Sequence, residues 1–370
     1  MEQYVVSFPG LGLSFQIDRV AFTIFGVNIY WYGLLIAAGL MLAVIFAFHH
    51  AVEFGIDADR LIDVVCIGTV MAIVCARIYY VAMSPYEYDS ILDMLDIRQG
   101  GIAIYGSLIG AFVFGGLACI WRKIPMLPTF DLVAMGFLIG QCIGRWGNFM
   151  NQEAFGYNTT LPWGMYSIMT QQYLESSVVT LPAGMTVDPT APVHPTFLYE
   201  SLWCLVGFIL LALYYKKRRF NGDVALRYAF WYGLGRFWIE GLRTDSLLLS
   251  PSLGLRASQL VAGGTVIAAL VLEVYLTRKY RNSQPLRVKL ALNNENLKRM
   301  KQMDGPAAFY FGKDGDSLPV GESHDAFVAA TEQYNAAVAE ALKAQQKACA
   351  ADTAAGTSGP AEPPAPKAEK

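Results

Sequence analysis

Long apolar runs follow one another along the chain up to about residue 280, and short polar or turn-forming segments separate them. Each run has about 20 residues, the length that an α-helix needs to cross the hydrocarbon core of a bilayer. The runs are continuously apolar rather than alternating, which argues against the strands of a membrane barrel. The pattern predicts seven spanning helices, near residues 28–48, 61–82, 102–121, 130–149, 196–215, 225–241 and 257–277.

The composition supports this all-α, polytopic membrane class. Charged residues make up 16% of the chain and hydrophobic residues 54%, whereas a soluble domain has about 25% charged residues. The six cysteines form no C-x-x-C pair, and no zinc-ligand spacing is present. We therefore expect no metal, no cofactor and no nucleic-acid partner. The first 25 residues lack a basic start and a small-residue cleavage site, so no removable signal peptide is expected.

The placement of lysine and arginine predicts the orientation of the helices. Basic pairs and clusters follow the third, fifth and seventh spans, at Arg122–Lys123, Lys216–Arg219 and Arg278–Arg281. The long connection between Met150 and Val193 contains neither residue type. Because basic residues stay on the cytoplasmic side, the amino terminus is predicted to lie outside and the carboxyl terminus inside.

The composition changes after the last apolar run, which divides the chain into two parts. Residues 1–280 are predicted to form the membrane domain. Residues 281–370 are polar and rich in alanine and proline, and they offer little apolar surface to bury. A largely disordered cytoplasmic tail is therefore expected.

Several charged residues lie within or next to the apolar runs. A charge in hydrocarbon costs at least ~3 kcal/mol, so each one requires a partner or a role. The candidates are Arg77, Arg145, Glu153, Arg236 and Glu240.

Two of these arginines head clusters with helical spacing. Arg145 shares a helix face with Asn148, and Arg236 shares one with Glu240 and Arg243. Paired guanidiniums with amide donors suit a phosphate, because arginine binds such anions with a planar fork. The alternative is that Arg236 and Glu240, and likewise Arg145 and Glu153, neutralise each other and only join helices.

Three further positions carry weaker signals. Tyr32 begins the first span, where an aromatic ring is more often an interfacial anchor than a catalyst. Tyr105 lies in the glycine-rich start of the third span, as a buried donor or a packed ring. His194 and Glu200 open the fifth span, where helix capping and a function are equally good interpretations.

The segment GRWGNFMNQEAFG at residues 144–156 carries a resemblance to a known family. It matches the pattern G-R-x-G-N-F-x-N-x-E-x-x-G of the bacterial prolipoprotein diacylglyceryl transferases, and further matching pieces extend from about residue 25 to 280. The resemblance implies a seven-helix bundle in the bacterial plasma membrane. It also implies transfer of the diacylglyceryl group of phosphatidylglycerol to the thiol of a lipobox cysteine in a prolipoprotein, with a thioether and glycerol 1-phosphate as products. The implied partners are phosphatidylglycerol, lipobox peptides and membrane lipids.

The resemblance also implies which residues form the site. Arg145 and Arg236 would hold the phosphate, with Asn148 as an oriented donor. The expected substrate-binding set is completed by residues of the signature and of the matching pieces: Tyr32, Arg77, Asn151, Gly156, Glu240 and Arg243.

Several residues are candidates for the acceptor of the thiol proton. Glu153 would either position the headgroup or receive this proton, and His194 is a second candidate base. Many family members have a histidine where this chain has Tyr105, and a tyrosine hydroxyl is a poor base at neutral pH. Tyr105 would therefore orient a group by hydrogen bonding, or the base lies elsewhere.

A transporter of an anionic lipid or metabolite is the competing functional class. It would also need paired arginines inside the bundle, so the placement of charge does not separate the two classes. The chain shows no obvious inverted repeat, which counts against a transporter.

Overall fold

Long helices account for most of the described residues in this computed structural model. The structure describes residues 5–56, 58–84, 88, 90–96, 100–176, 181, 185–244, 248–250, 255–282 and 286. Asp245, which follows the predicted sixth span, and the predicted tail beyond residue 286 lie outside the described residues.

Among the described residues, the long helices coincide with the predicted runs to within a few residues, whereas two short helices were not predicted. The helices are α1 (Trp31–His50), α2 (Ala58–Met83), the short α3 (Ile91–Leu95), α4 (Ile104–Arg122), α5 (Met126–Asn151), the short α6 (Ile168–Glu175), α7 (Thr196–Tyr214), α8 (Asp223–Leu242) and α9 (Ala257–Lys279). Within the described residues, six helices are long and apolar enough to cross a membrane: α1, α2, α4, α5, α7 with its short extension, and α9. Helix α8 is the predicted sixth span; it is as long as α1 but carries Asp223, Arg227, Arg236 and Glu240.

Short strands fill parts of the connecting segments, which the apolar pattern did not predict. They are β1 (Val5–Phe8), β2 (Leu13–Gln16), β3 (Val20–Ile24), β4 (Val27–Tyr30), β5 (Tyr166–Ser167), β6 (Leu248–Ser250) and β7 (Leu255–Arg256). The order β2-β1-β5 forms a small antiparallel sheet, and β3–β4 and β6–β7 form hairpins. Strand β4 continues directly into α1.

The long helices pack in neighbouring pairs. Helix α2 lies mainly against α4, α1 against α5, α8 against α9, and α5 against α7. Ion pairs and close contacts show that partners run in opposite directions: Arg122 at the end of α4 reaches Asp63 near the start of α2, at 2.7 Å. The ends of α2, α5 and α8 therefore lie at the same end of the bundle as the starts of α1, α4 and α7.

The core consists of two clusters of buried apolar side chains. The larger cluster joins α1, α2, α5, α7 and α8 and includes Leu132, Met135 and Leu138, all fully buried. The smaller cluster packs the β1–β2 segment onto the last turn of α5 and the first turn of α7, through Phe8, Phe149 and Phe197. This second cluster fixes the end of α5, where the signature begins, against the start of α7.

Candidate active site

Two arginines from different helices meet on one carboxylate oxygen. Oε1 of Glu200, in the second turn of α7, accepts a hydrogen bond from Arg145 of α5 at 2.9 Å and one from Arg236 of α8 at 2.7 Å. The Glu200 side chain is 3% exposed, whereas those of Arg145 and Arg236 are 21% and 18% exposed. The carboxylate therefore lies on the buried side of the two guanidiniums. The structure thus brings Arg145 and Arg236 together on Glu200, a residue that the sequence analysis noted but did not select.

The end of α8 supplies a second carboxylate to this cluster. Arg236 also forms an ion pair with Glu240 one turn later, and the Glu240 side chain is 5% exposed. Arg243 does not continue the same helix face as predicted, because α8 ends at Leu242 and Arg243 has extended backbone angles. There it forms a β-bridge with Gly156. The cluster is thus built from three helices and from the segment that follows the signature.

The polar residues of the signature form a chain of hydrogen bonds that starts at Arg145. The Asn148 side-chain oxygen accepts from Arg145 at 3.4 Å, and its amide nitrogen donates to Glu153 at 2.9 Å. Asn151 donates to the same Glu153 oxygen at 3.3 Å. Arg145 therefore pairs with Glu200 and reaches Glu153 only through Asn148, so the alternative pairing of Arg145 with Glu153 is wrong. Glu153 itself is exposed.

The register between α7 and α8 is fixed by a pair of stacked indoles. The rings of Trp203 and Trp231 are 4.3 Å apart and nearly parallel. Each indole N–H donates to the backbone carbonyl of the other residue at 2.9 Å. Each ring also lies over a glycine of the opposite helix, Gly235 or Gly207, where a Cβ atom would lie within 2.5 Å of the ring. Because Trp203 lies one turn after Glu200, this contact sets the height at which Glu200 meets Arg236.

His194 lies just before α7 and is half-buried. Its Nδ1 lies 3.0 Å from the Tyr199 hydroxyl, which also accepts a hydrogen bond from Trp163 at 2.8 Å. Burial lowers the pKa of His194 below its ordinary value, so the ring is neutral at pH 7. A neutral imidazole can accept a proton, which keeps His194 as a candidate base.

Gly156 joins the segment after the signature to the two helices of the cluster. Its N–H donates to the His194 carbonyl at 2.9 Å. A Cβ atom at this position would lie 2.6 Å from the Leu242 carbonyl oxygen and 3.0 Å from the His194 side chain. Only glycine allows this approach, so the contact supports a positioning role for Gly156 next to its predicted part in substrate binding.

Among the described residues, Tyr32 and Tyr105 form no hydrogen bond to the arginine cluster. Tyr32 begins α1 and packs against Gly147 of the signature. Tyr105 begins α4, is 60% exposed, and has a ring contact with Tyr79 at 6.4 Å. Among the described residues, the Tyr105 hydroxyl bonds to no member of the cluster.

Arg77 has a different environment from Arg145 and Arg236. Its buried guanidinium donates to four backbone carbonyls, those of Asp93, Met94, Gly100 and Gly101, at 2.6 to 3.3 Å. These bonds close the connection between α2 and α4. The structure therefore places Arg77 apart from the cluster, and its predicted role in substrate binding stays a prediction.

The cluster can offer hydrogen-bond donors to an anion. Each guanidinium has five N–H groups, and the bonds to described residues use two on Arg145 and two on Arg236. Both side chains are partly exposed. The carboxylates of Glu200 and Glu240 balance the two positive charges, so the attraction comes from aimed donors rather than from a large excess of charge.

Fold and site together define a class: a multi-pass membrane protein whose helices join at one end through a partly open cluster of arginines and carboxylates. A model of the family described as prolipoprotein diacylglyceryl transferase matches residues 19–275. The chain belongs to this family, and it is therefore a transferase.

Individual relatives match over nearly their whole length. A phosphatidylglycerol–prolipoprotein diacylglyceryl transferase of Clostridioides difficile (strain 630) is 40% identical over 267 residues, which cover 72% of this chain and 98% of that protein. Those of Lysinibacillus sphaericus (strain C3-41) and Finegoldia magna are 40% and 39% identical, over 71% and 70% of this chain and 93% and 95% of theirs.

Proposed function

We propose that this protein transfers the diacylglyceryl group of phosphatidylglycerol to the thiol of a lipobox cysteine in prolipoproteins. A thioether forms, and glycerol 1-phosphate leaves. The names of the relatives support the two substrates. The observation that supports the site best is the convergence of Arg145 and Arg236 on one oxygen of Glu200.

The reaction proceeds at the glyceryl carbon that bears the phosphate. The sulfur electron pair forms the new C–S bond while the C–O bond to the phosphate breaks, and both electrons of that bond leave with the phosphate oxygen. Aimed guanidinium donors stabilise the charge that develops on this leaving group. Arg145 and Arg236 supply these donors, and Asn148 orients Arg145.

The thiol has to lose its proton, since the thiolate is the nucleophile and a free cysteine has a pKa of about 8.5. His194 is neutral at pH 7 and lies just before α7, six residues before Glu200 along the chain. Glu153 is exposed and tied to Arg145 through Asn148. These two residues are the proposed acceptors, and the pH dependence described below distinguishes them.

We also propose the predicted topology for this chain: seven spans including α8, in a bacterial plasma membrane, with the amino terminus outside. Helix α8 packs against α7 and α9, so its charged residues face other helices and not only lipid. The cluster then lies at the outer end of the bundle. Lys216, Lys217 and Arg278 lie at the opposite end.

A transfer assay tests the proposed function. Full-length protein in nanodiscs that contain labelled phosphatidylglycerol is incubated with a lipobox peptide, and the labelled thioether product is measured. Arg145→Ala and Arg236→Ala should each lower the transfer rate by about 100-fold or more. Arg278→Ala, an exposed arginine at the opposite end, is the matched control and should keep the wild-type rate. Movement of lipid without a new bond to the peptide would indicate a transporter instead.

A further inference from the structure

Glu200 has no assigned part in the reaction, yet it contacts both arginines that the proposed function uses. One oxygen, Oε1, accepts from Arg145 at 2.9 Å and from Arg236 at 2.7 Å. This shared oxygen therefore holds one nitrogen of each guanidinium close to the other. Among the described residues, no other side chain joins these two arginines directly.

The second oxygen of Glu200 forms no bond to another part of the described fold. Oε2 is buried and has no hydrogen-bond partner among the described residues. An unsatisfied buried carboxylate oxygen costs free energy.

Burial places Glu200 behind the arginines and not in the opening. Its side chain is 3% exposed, against 21% for Arg145 and 18% for Arg236. An anion from the membrane surface therefore reaches the guanidiniums first. The guanidinium N–H groups that face away from Glu200 remain available to bind this anion.

We propose that Glu200 is a positioning residue for the transfer: its Oε1 holds the guanidiniums of Arg145 and Arg236 side by side from the buried side, so that both present their remaining donors to one phosphate group. This proposal rests on the proposed function. Positioning of this kind raises the rate because the donors need no reorganisation when charge develops on the leaving group. The same carboxylate weakens the attraction of the arginines for an anion, because it cancels part of their charge.

Glu200 is thus expected to raise the turnover number and to weaken the binding of the lipid. The test measures these two quantities separately. Glu200→Gln keeps an oxygen at the same reach but removes the charge. Phosphatidylglycerol should then bind more tightly, with half-saturation at a lower mole fraction by about threefold or more. The turnover number should fall by about 100-fold, since a displacement of about 1 Å costs this much. A residue that only stabilised the fold would lower the amount of active protein and would not tighten lipid binding.

The experiment uses full-length protein in nanodiscs with increasing mole fractions of phosphatidylglycerol and a saturating lipobox peptide. Glu240→Gln is the matched control, because Glu240 pairs with Arg236 but not with Arg145; its loss of turnover should be smaller. Glu200→Asp keeps the charge and shortens the reach by one methylene. It should lower turnover without tightening the binding of the lipid, and it keeps the test decisive if the glutamine variant does not fold.

A coupling measurement adds a second readout. In the wild type, Arg145→Lys and Arg236→Lys should have non-additive effects on the rate, because both arginines share one oxygen. In the Glu200→Gln or Glu200→Asp background this coupling should be weaker, and the part that acts through the shared phosphate should remain. Wild-type turnover in a folded Glu200 variant, or unchanged coupling of the arginines, would overturn the proposal. A wild-type protein that forms no thioether would refute the proposed function itself, which separates the two failures.

Discussion

Charged side chains are held inside both ends of the helix bundle. Helix α5 contributes one at each end, Asp131 near its start and Arg145 near its end. Asp131 near its start is fully buried and accepts hydrogen bonds from the backbone N–H groups of Gly222 and Ala225, both at 2.8 Å. Arg218, 1% exposed, donates to the carbonyls of Tyr215 and Glu53 and lies 3.9 Å from the ring of Phe54. Arg145, 14 residues after Asp131 on α5 and about 21 Å along the helix, bonds to the side chains of Glu200 and Asn148.

The difference lies in the partners and in the access. At the Asp131 end, Asp131 and Arg218 bond to backbone groups, which are fixed by the fold and cannot be exchanged for a ligand. At the Arg145 end, charged side chains bond to one another and keep partly exposed donors. The first arrangement stabilises a helix start, and the second can bind and release an anion. Arg77, which donates to four backbone carbonyls, has the environment of the first kind.

The largest expected effect on stability comes from removing Asp131. Asp131→Ala would leave the N–H groups of Gly222 and Ala225 buried without partners, at a cost of roughly 3 kcal/mol in total. The melting temperature in detergent should therefore fall by several degrees, while the transfer rate per folded molecule stays near that of the wild type. Asp131→Asn keeps one acceptor oxygen and should show a smaller shift. A stable but inactive Asp131→Ala protein would contradict the distinction between the two ends.

A pH effect is expected from His194, with a sign that follows from its burial. Because its pKa is lowered, His194 is neutral above the ordinary value of about 6.5 and gains a proton only at more acidic pH. If His194 accepts the thiol proton, its protonation should not change the transfer rate near neutral pH. The rate should fall as the pH drops through the lowered pKa of His194.

The pH profile of His194→Asn is compared with that of Glu153→Gln. Loss of the acidic decline in the His194 variant alone would assign the proton to His194, together with a loss of rate of about 100-fold. The same loss in the Glu153 variant alone would assign it to Glu153. Unchanged profiles in both variants would exclude both residues.

The smallest effect is expected at Tyr105. The ring is 60% exposed and its hydroxyl bonds to no member of the cluster among the described residues. Tyr105→Phe should therefore change the transfer rate by less than about threefold, since it removes no bond that the structure shows. A loss comparable to that of the arginine variants would show that this hydroxyl contacts the substrate.

Sequence reasoning located the long helices well, because each has an apolar run long enough to define it, and it missed the short α3 and α6. It located Arg145 and Arg236 for a similar reason: charged residues inside such runs are rare and conspicuous. The short strands escaped it, since segments of two to five residues outside the apolar runs carry little pattern. Glu200 was noted but not selected, because a carboxylate near a helix start is also typical of a cap.

The contacts that define the site could not be read from local spacing. Glu200 is 55 residues from Arg145 and 36 from Arg236 in the chain, and their meeting depends on how α7 packs against α5 and α8. The stacked pair of Trp203 and Trp231 fixes part of that packing through indole-to-carbonyl bonds. The partners of Arg77 could not be predicted for a different reason. They are backbone carbonyls, which every residue has, so no residue type in the sequence indicates them.

Binding of a phosphate group by Arg145 and Arg236 can be measured without the transfer step. Glycerol 1-phosphate is titrated into full-length protein in nanodiscs that lack phosphatidylglycerol, and binding is followed by calorimetry. We expect the wild type and Arg278→Ala to bind with the same affinity, and Arg145→Ala and Arg236→Ala each to bind at least about tenfold more weakly. Equal affinity in all four proteins would contradict the claim that these two guanidiniums hold the phosphate.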